Sequence, residues 1–243
     1  MMPAYNPKRI LIEVVMMTDF AINRQQVTRE ICQICEDVGR TASDVQLLAV
    51  SKKQLPAAIR ALHAAGQVAF GENYLQEALS KQAELADLSL EWHFIGQIQR
   101  NKTRDIACHF DWVHGVDRVL IAERLSAQRG EGSGLSPLNL CLQVNIDQEV
   151  SKGGCLPAEV PELVAAISRL PYVALRGLMV IPEAGHKDAF VRTHALFESA
   201  RSVHADPQQW DTLSMGMSGD FAEAIAAGAT IVRIGTALFG ARI

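Results

Sequence analysis

The stretch Leu47-Leu48-Ala49-Val50-Ser51-Lys52-Lys53-Gln54-Leu55-Pro56 holds the junction on which the fold turns. Its first five residues form a short apolar run that fits a buried strand, and Pro56 opens a helical pattern. Lys52 thus ends a strand where the chain hands over to a helix. A lysine tethered there lies beside apolar walls, where desolvation disfavours the ammonium form and lowers its pKa. A partly neutral lysine can attack a carbonyl and form a Schiff base. Lys52 and Lys53 also fit a plain solvated loop, because surface lysines are the rule. On this segment alone the solvated loop is the favoured reading.

Outward from that junction, strand and helix patterns alternate. Helical spacing over 18–38 places Phe20, Val27, Ile31, Ile34 and Val38 on one side. Strand-like runs follow at 46–51, 68–70, 91–95, 112–115, 138–145, 173–180, 212–215 and 230–234, with helical patterns at 56–65, 73–86, 100–108, 118–128, 157–169, 187–204 and 219–227. Such a βα series predicts a parallel sheet. Right-handed crossovers and the strand count favour closure into a single (β/α)₈ TIM barrel over an open doubly wound sheet. The short second run and the weak fourth leave seven strands as the other count. Residues 130–137, rich in glycine and serine, read as a surface loop too short to divide domains.

Composition narrows the function classes. The chain has 243 residues, 49% of them hydrophobic, which suffices for one large barrel core. A net charge of −4 gives no footprint for nucleic acid or an anionic membrane. The basic stretch Arg100-Asn101-Lys102-Thr103-Arg104 fits the first turns of a helix. Cys32 and Cys35 form a CxxC, but inside a helical pattern. A redox pair sits at a strand-to-helix junction, and a metal site needs a second ligand pair, so reduced thiols in a cytoplasmic protein are expected. The run from Ile10 to Met17 is broken by Glu13 and lacks a cleavage site, so it is no secretory signal. Residues 1–16 are expected to be an N-terminal extension, disordered or a misassigned start, with the barrel occupying 17–243.

If the barrel is right, chemistry belongs at the carboxyl ends of its strands. Lys52, Gly71-Glu72-Asn73, Gly96-Gln97, Asn145, Met179, the Ser214–Gly219 turn and Gly235-Thr236 all fall there. Ser218 reads as the N-cap of the helix beginning near Phe221, with backbone N–H groups facing outward. Gly235-Thr236 adds a second turn with a hydroxyl. In barrels the loops after the last two strands often hold a phosphate. An amine facing a phosphate site suits a phosphosugar, or pyridoxal 5′-phosphate (PLP) with its aldehyde on the lysine.

The motifs LLAVSKK, FGENYLQEA, EWHFIGQIQRNK, RGLMVIP, LSMGMSGDFAEAIAAG and VRIGTALFG, in this order, resemble the pyridoxal phosphate homeostasis protein family. That family is related to the barrel domain of alanine racemase, and the resemblance runs from about Met17 to Ile243. It implies that Lys52 carries PLP as a Schiff base and that Ser218, Gly235 and Thr236 hold the phosphate. It further implies that Arg233 approaches the pyridine nitrogen, that Asn73 lines the pocket and that Lys152 contacts ligand. An always-protonated guanidinium would keep the ring nitrogen unprotonated and weaken the cofactor as an electron sink. Lys53 and Gln97 depart from the family's usual threonine and proline, and Gly219-Asp220 from its usual paired acids. His93, between Trp92 and Phe94, fits a satisfied core histidine better than a catalytic one.

The resemblance implies a non-enzymatic PLP carrier that buffers and delivers the cofactor to apo-enzymes. The alternatives are a PLP-dependent racemase or related enzyme, and a Schiff-base aldolase. Racemization needs acid/base groups on both faces of the α-carbon, and none of Tyr5, Tyr74 and Tyr172 is an obvious second base. The aldolase reading leaves Arg233 unexplained. A cytoplasmic monomer is expected, with no nucleic-acid or membrane partner.

Overall fold

A computed structural model of the chain describes residues 7–130, 134–183, 185, 186 and 188–240, with side chains described from residue 19 onward. Eight parallel strands close into a barrel in sequence order, the last pairing back onto the first. They are β1 (Gln46–Val50), β2 (Ala69–Glu72), β3 (Glu91–Phe94), β4 (Trp112–Val116), β5 (Leu138–Val144), β6 (Val173–Val180), β7 (Thr212–Ser214) and β8 (Ile231–Ile234). The helix α1 (Pro7–Asp37) precedes them. Between the strands run α2 (Pro56–Ala64), α3 (Leu75–Glu84), α4 (Thr103–His109), α5 (Val119–Gly130), α6 (Val160–Ile167), α7 (Asp188–Ala200) and α8 (Phe221–Ala226), and the one-turn α9 (Thr236–Phe239) follows β8.

Strand side chains alternate between two apolar layers, as a pleated strand requires. Leu48, Ala69, Trp112, Cys141, Met179 and Ile231 form the barrel interior. Their neighbours Ala49, Phe70, Val113, Leu140, Val232 and others turn outward to Ile59, Leu62, Ile106, Leu125 and Val164 on the helices. Burial on both faces is why these strands read as nearly continuous apolar runs. Both doubtful strands are present, and each is longer than expected. The second reaches Glu72, whose buried carboxylate is matched by a buried lysine, so polarity at that position does not end the strand.

The leading helix begins at Pro7, well before residue 18, because no glycine or proline interrupts the sequence between Pro7 and Asp37. Residues 1–6 of the expected extension, with Tyr5, lie outside the described residues, as do 131–133 of the glycine-rich loop. Cys32 and Cys35 lie within α1, the latter buried, and the cysteines are unpaired. Among the described residues no helix is long and apolar enough to cross a membrane.

The amino-terminal end of the barrel is plugged by paired charges. The Arg176 guanidinium lies over the Trp112 ring, 5.2 Å from its centroid, and donates to Asn139 Oδ1 at 2.9 Å and to Asp211. The carboxyl-terminal end is where the cavity opens.

Candidate functional site

A cavity of about 270 Å³ sits at the carboxyl ends of the strands. Lys52, Asn73, Ser218, Arg233, Gly235 and Thr236 all line it, although they come from both ends of the sequence. Val50, Ile95, Met179, Ile181 and Met217 supply its apolar walls. A larger, more open groove runs along α1 beside Arg24, Cys32 and Ala65, away from the polar turns of the barrel mouth.

Lys52 is half-buried on a turn that is braced from behind. The preceding Ser51 is buried; its hydroxyl donates to Glu72 Oε1 at 2.7 Å. Lys81 reaches up from α3 and uses all three of its ammonium hydrogens, on Ser51 O (2.7 Å), Glu72 Oε1 (2.7 Å) and Glu77 Oε1 (2.6 Å). Glu77 also accepts from the backbone N–H of Lys53, whose φ of 61° is the left-handed conformation that non-glycine residues adopt rarely. Burial pushes the Glu72 carboxyl above its ordinary range, while Lys81 and Ser51 pull it back. The strand end and the turn after Lys52 are thus tied to one ion-pair cluster.

Asn73 follows β2 and presents a buried Oδ1 with no hydrogen-bond partner. Its backbone presses against Gly96, where a Cβ would lie 2.1 Å from the Asn73 carbonyl oxygen, so only glycine fits. Asn73 lines the cavity together with Lys52, and the hydrogen-bonding capacity of its Oδ1 is unused.

The two carboxyl-terminal loops supply donors. Ser218 is not the helix N-cap: α8 starts at Phe221 with Asp220 in the cap position. The Asp220 carboxylate turns back to accept from Met217 N–H at 2.6 Å, and the Asp220 and Phe221 amides turn to Met217 O. That closes a tight turn and leaves the Ser218 and Gly219 amides and the Ser218 hydroxyl without protein acceptors. In the loop after β8, Leu238 and Phe239 N–H both bond Gly235 O, leaving Thr236 and Ala237 N–H open. A Cβ at Gly235 would meet nothing closer than Val50 O at 3.5 Å, so no neighbouring protein atom forbids a side chain there, and its absence keeps room in the cavity.

Arg233 is buried at the cavity floor. It donates through Nη1 to Ser214 O (2.6 Å) and Ser214 Oγ (2.9 Å), and through Nη2 to Val180 O (2.8 Å). Burial lowers its pKa to about 10, which still leaves the guanidinium charged at neutral pH. Two of its five N–H groups, on Nε and Nη2, have no acceptor among the described residues.

The other sequence candidates stand apart from the cavity. Lys152 pairs with Glu149, and Asn145 staples the same loop by donating to Glu149 O at 2.7 Å and accepting from Glu149 N–H. His93 is fully buried and bonded through both ring nitrogens, to Glu91 Oε1 at 2.7 Å and His114 Nε2 at 2.9 Å. Sequence reasoning missed Lys81, Glu77, His114 and Ser214 as supports. The i, i+4 spacing of Glu77 and Lys81 was the one available signal.

The lining groups match a phosphorylated aldehyde: backbone amides and hydroxyls for an anion, an amine for a carbonyl, and an arginine and an amide oxygen beside them. Against known proteins, the alanine racemase N-terminal domain family matches residues 22–243. The pyridoxal phosphate homeostasis protein of Pseudomonas aeruginosa is 56% identical over 227 residues, covering 93% of this chain and 97% of its own. The chain belongs to the pyridoxal phosphate homeostasis protein family. The structure of another homologue, PipY of Synechococcus elongatus, solved with PLP bound, is 45% identical with a TM-score of 0.68, covering 86% of this chain and all of that one. An alanine racemase of Streptomyces lavendulae shares the fold at 20% identity and a TM-score of 0.68, and this family member covers 58% of its length.

Proposed function

We propose that this protein binds PLP at the barrel mouth, held by Lys52, and serves as an intracellular store and donor of the cofactor. The observation that carries the reading is the convergence of Lys52, Asn73, Ser218, Arg233, Gly235 and Thr236 on one cavity. PLP supplies an aldehyde for reversible linkage to an amine. When bound there, the aldehyde would be linked to Lys52 Nζ with loss of water. Ser218 and Thr236, with the open amides of their loops, would hold the phosphate. Arg233 would offer the ring a charged donor, which does not favour electron-sink chemistry. PipY with PLP bound, and relatives named for PLP homeostasis, support the same reading.

A carrier fits better than a racemase. Of the two described tyrosines, Tyr74 is half-exposed beside α3, and Tyr172 lies before β6, at the opposite end of the barrel from the cavity. Neither is positioned as a second base. Delivery to PLP-dependent apo-enzymes, a monomeric state and a cytoplasmic location belong to the same proposal.

The test is the absorption spectrum of purified protein loaded with PLP. Wild type is expected to be yellow and Lys52→Ala colourless; a wild type that stays colourless and takes up no PLP would sink the reading. Incubation with single-enantiomer amino acids then separates carrier from racemase. Sustained Lys52-dependent loss of chirality would make the protein an enzyme.

A further inference from the structure

A line of polar groups crosses the barrel interior and ends on Arg233. Glu91 opens β3 at the amino-terminal end, where its Oε1 accepts from Gln46 Nε2 at 2.7 Å and meets His93 Nε2 at 2.7 Å. His93 Nδ1 lies 2.9 Å from His114 Nε2 on β4, and His114 Nδ1 lies 2.8 Å from Ser214 Oγ on β7. Ser214 Oγ in turn accepts from Arg233 Nη1. His93, His114 and Ser214 have no exposed surface, and the His93 ring stacks on Trp112 at 5.5 Å.

With both rings neutral, the acceptor-only Glu91 end fixes the direction of every hydrogen bond in this line. A guanidinium only donates, so Ser214 Oγ accepts from Arg233, and its own hydrogen is left to complete the line at His114 Nδ1. His114 must then carry its proton on Nε2 and donate to His93 Nδ1. His93 carries its proton on Nε2 and donates to Glu91, whose carboxylate only accepts. Each link is satisfied once, with both rings neutral. Burial lowers the pKa of both histidines, that of His114 further because His93 and Arg233 lie beside it.

Apolar side chains would fill this interior at lower electrostatic cost, as Leu48 and Met179 do in the same layer. The line instead presents an oriented lone pair to Arg233, beside the carbonyls of Ser214 and Val180, and so leaves its two open N–H groups in one place. We propose that His93 and His114, anchored by Glu91, are positioning residues that act through Ser214 to hold the Arg233 guanidinium against the ring of bound PLP. The proposal rests on the PLP reading above and adds to it four residues that lie outside the cavity lining.

The test has two arms. In the apo-protein at neutral pH, ¹⁵N side-chain NMR should show both rings as neutral Nε2–H tautomers; an Nδ1–H tautomer or an imidazolium at either ring overturns the chain. In the second arm, PLP retention and the absorption maximum are compared for wild type, His114→Phe and Ser214→Ala, each alone and combined with Arg233→Met. Ser214→Ala serves where His114→Phe does not fold. Loss of a hydrogen bond to a charged group predicts retention weakened by roughly tenfold, with a shifted maximum, in the single variants. Adding either change to Arg233→Met should cost nothing further, because the residue acted through is gone. Equal losses in both backgrounds mean a merely structural role and overturn the proposal, as do single variants indistinguishable from wild type. Wild-type protein that takes up no PLP defeats the cofactor reading itself, and this proposal with it.

Discussion

The barrel carries two populations of polar groups, and they differ in one respect. Those sealed in the protein are mostly saturated: Lys81 spends three donors on three acceptors and His93 uses both ring nitrogens, with Glu72 Oε2 the one atom of these groups left over. Those at the mouth are not: Asn73 Oδ1 has no partner, and the Ser218 and Thr236 amides and two Arg233 N–H groups have no acceptor among the described residues. Sealed polar groups stabilise or orient; open ones are where a ligand is proposed to bind. Arg233 belongs to both populations, which is why it matters most.

The largest test of the sealed population is Lys81→Met. It strands Glu72, whose side chain has no exposed surface, and removing one partner of a buried pair costs about 3–5 kcal/mol. Urea unfolding should report that loss, and pairing the change with Glu72→Leu should recover much of it. A single variant as stable as wild type would mean that Glu72 and Lys81 are not the closed cluster described above.

Acidification is next. The folded pKa of His93 and of His114 is depressed below the ordinary 6.5, so their contribution is present above that pH and is lost as pH falls below it. Each proton taken up on unfolding adds a slope of about 1.4 kcal/mol per pH unit. Glu72 has the opposite sign. Its folded pKa is raised above 4.5, so its contribution is present below that value and fades as pH rises through the folded pKa. His114→Phe should flatten the histidine part of the profile, measured as unfolding free energy from pH 7 downward. An unchanged slope would mean His114 is not neutral inside the barrel.

Arg176→Met is expected to be milder, because the Arg176–Asp211 pair is partly exposed and screened. Losing the pair and the contact with Trp112 should cost about 1 kcal/mol. PLP retention should not change, since the plug lies at the end of the barrel opposite the cavity. Weaker retention in this variant would mean that the two ends of the barrel are not independent.

The contrast also explains what the sequence made legible. Strands buried on both faces leave uninterrupted apolar runs, and turns such as Gly235-Thr236 sit at predictable strand ends, so the barrel and the residues of its mouth could be read directly. The saturated groups could not. Glu77 and Lys81 have the spacing of a solvated surface pair, and only packing shows the lysine to be buried. His114 and Ser214 are a hundred residues apart and meet only because β4 and β7 share one interior. The N-cap was misplaced because Ser218 and Asp220 are equally good capping types. Helical geometry begins only at Phe221, and the Asp220 carboxylate accepts from Met217 N–H instead of from a helix amide.

The smallest expected effect on stability comes from the open population, and it is the most discriminating. Ser218 is only half-buried, caps no helix and bonds no protein group, so Ser218→Ala should leave stability within about 0.5 kcal/mol of wild type. The same change removes one hydroxyl donor from the loop proposed to hold the phosphate. A net hydrogen bond of about 1 kcal/mol predicts PLP half-saturation raised roughly fivefold. Thermal unfolding without PLP and spectroscopic titration with it separate the two quantities. If Ser218→Ala lowers the melting temperature and leaves PLP affinity untouched, Ser218 belongs with the sealed groups, and the phosphate must be held by the Thr236 loop alone.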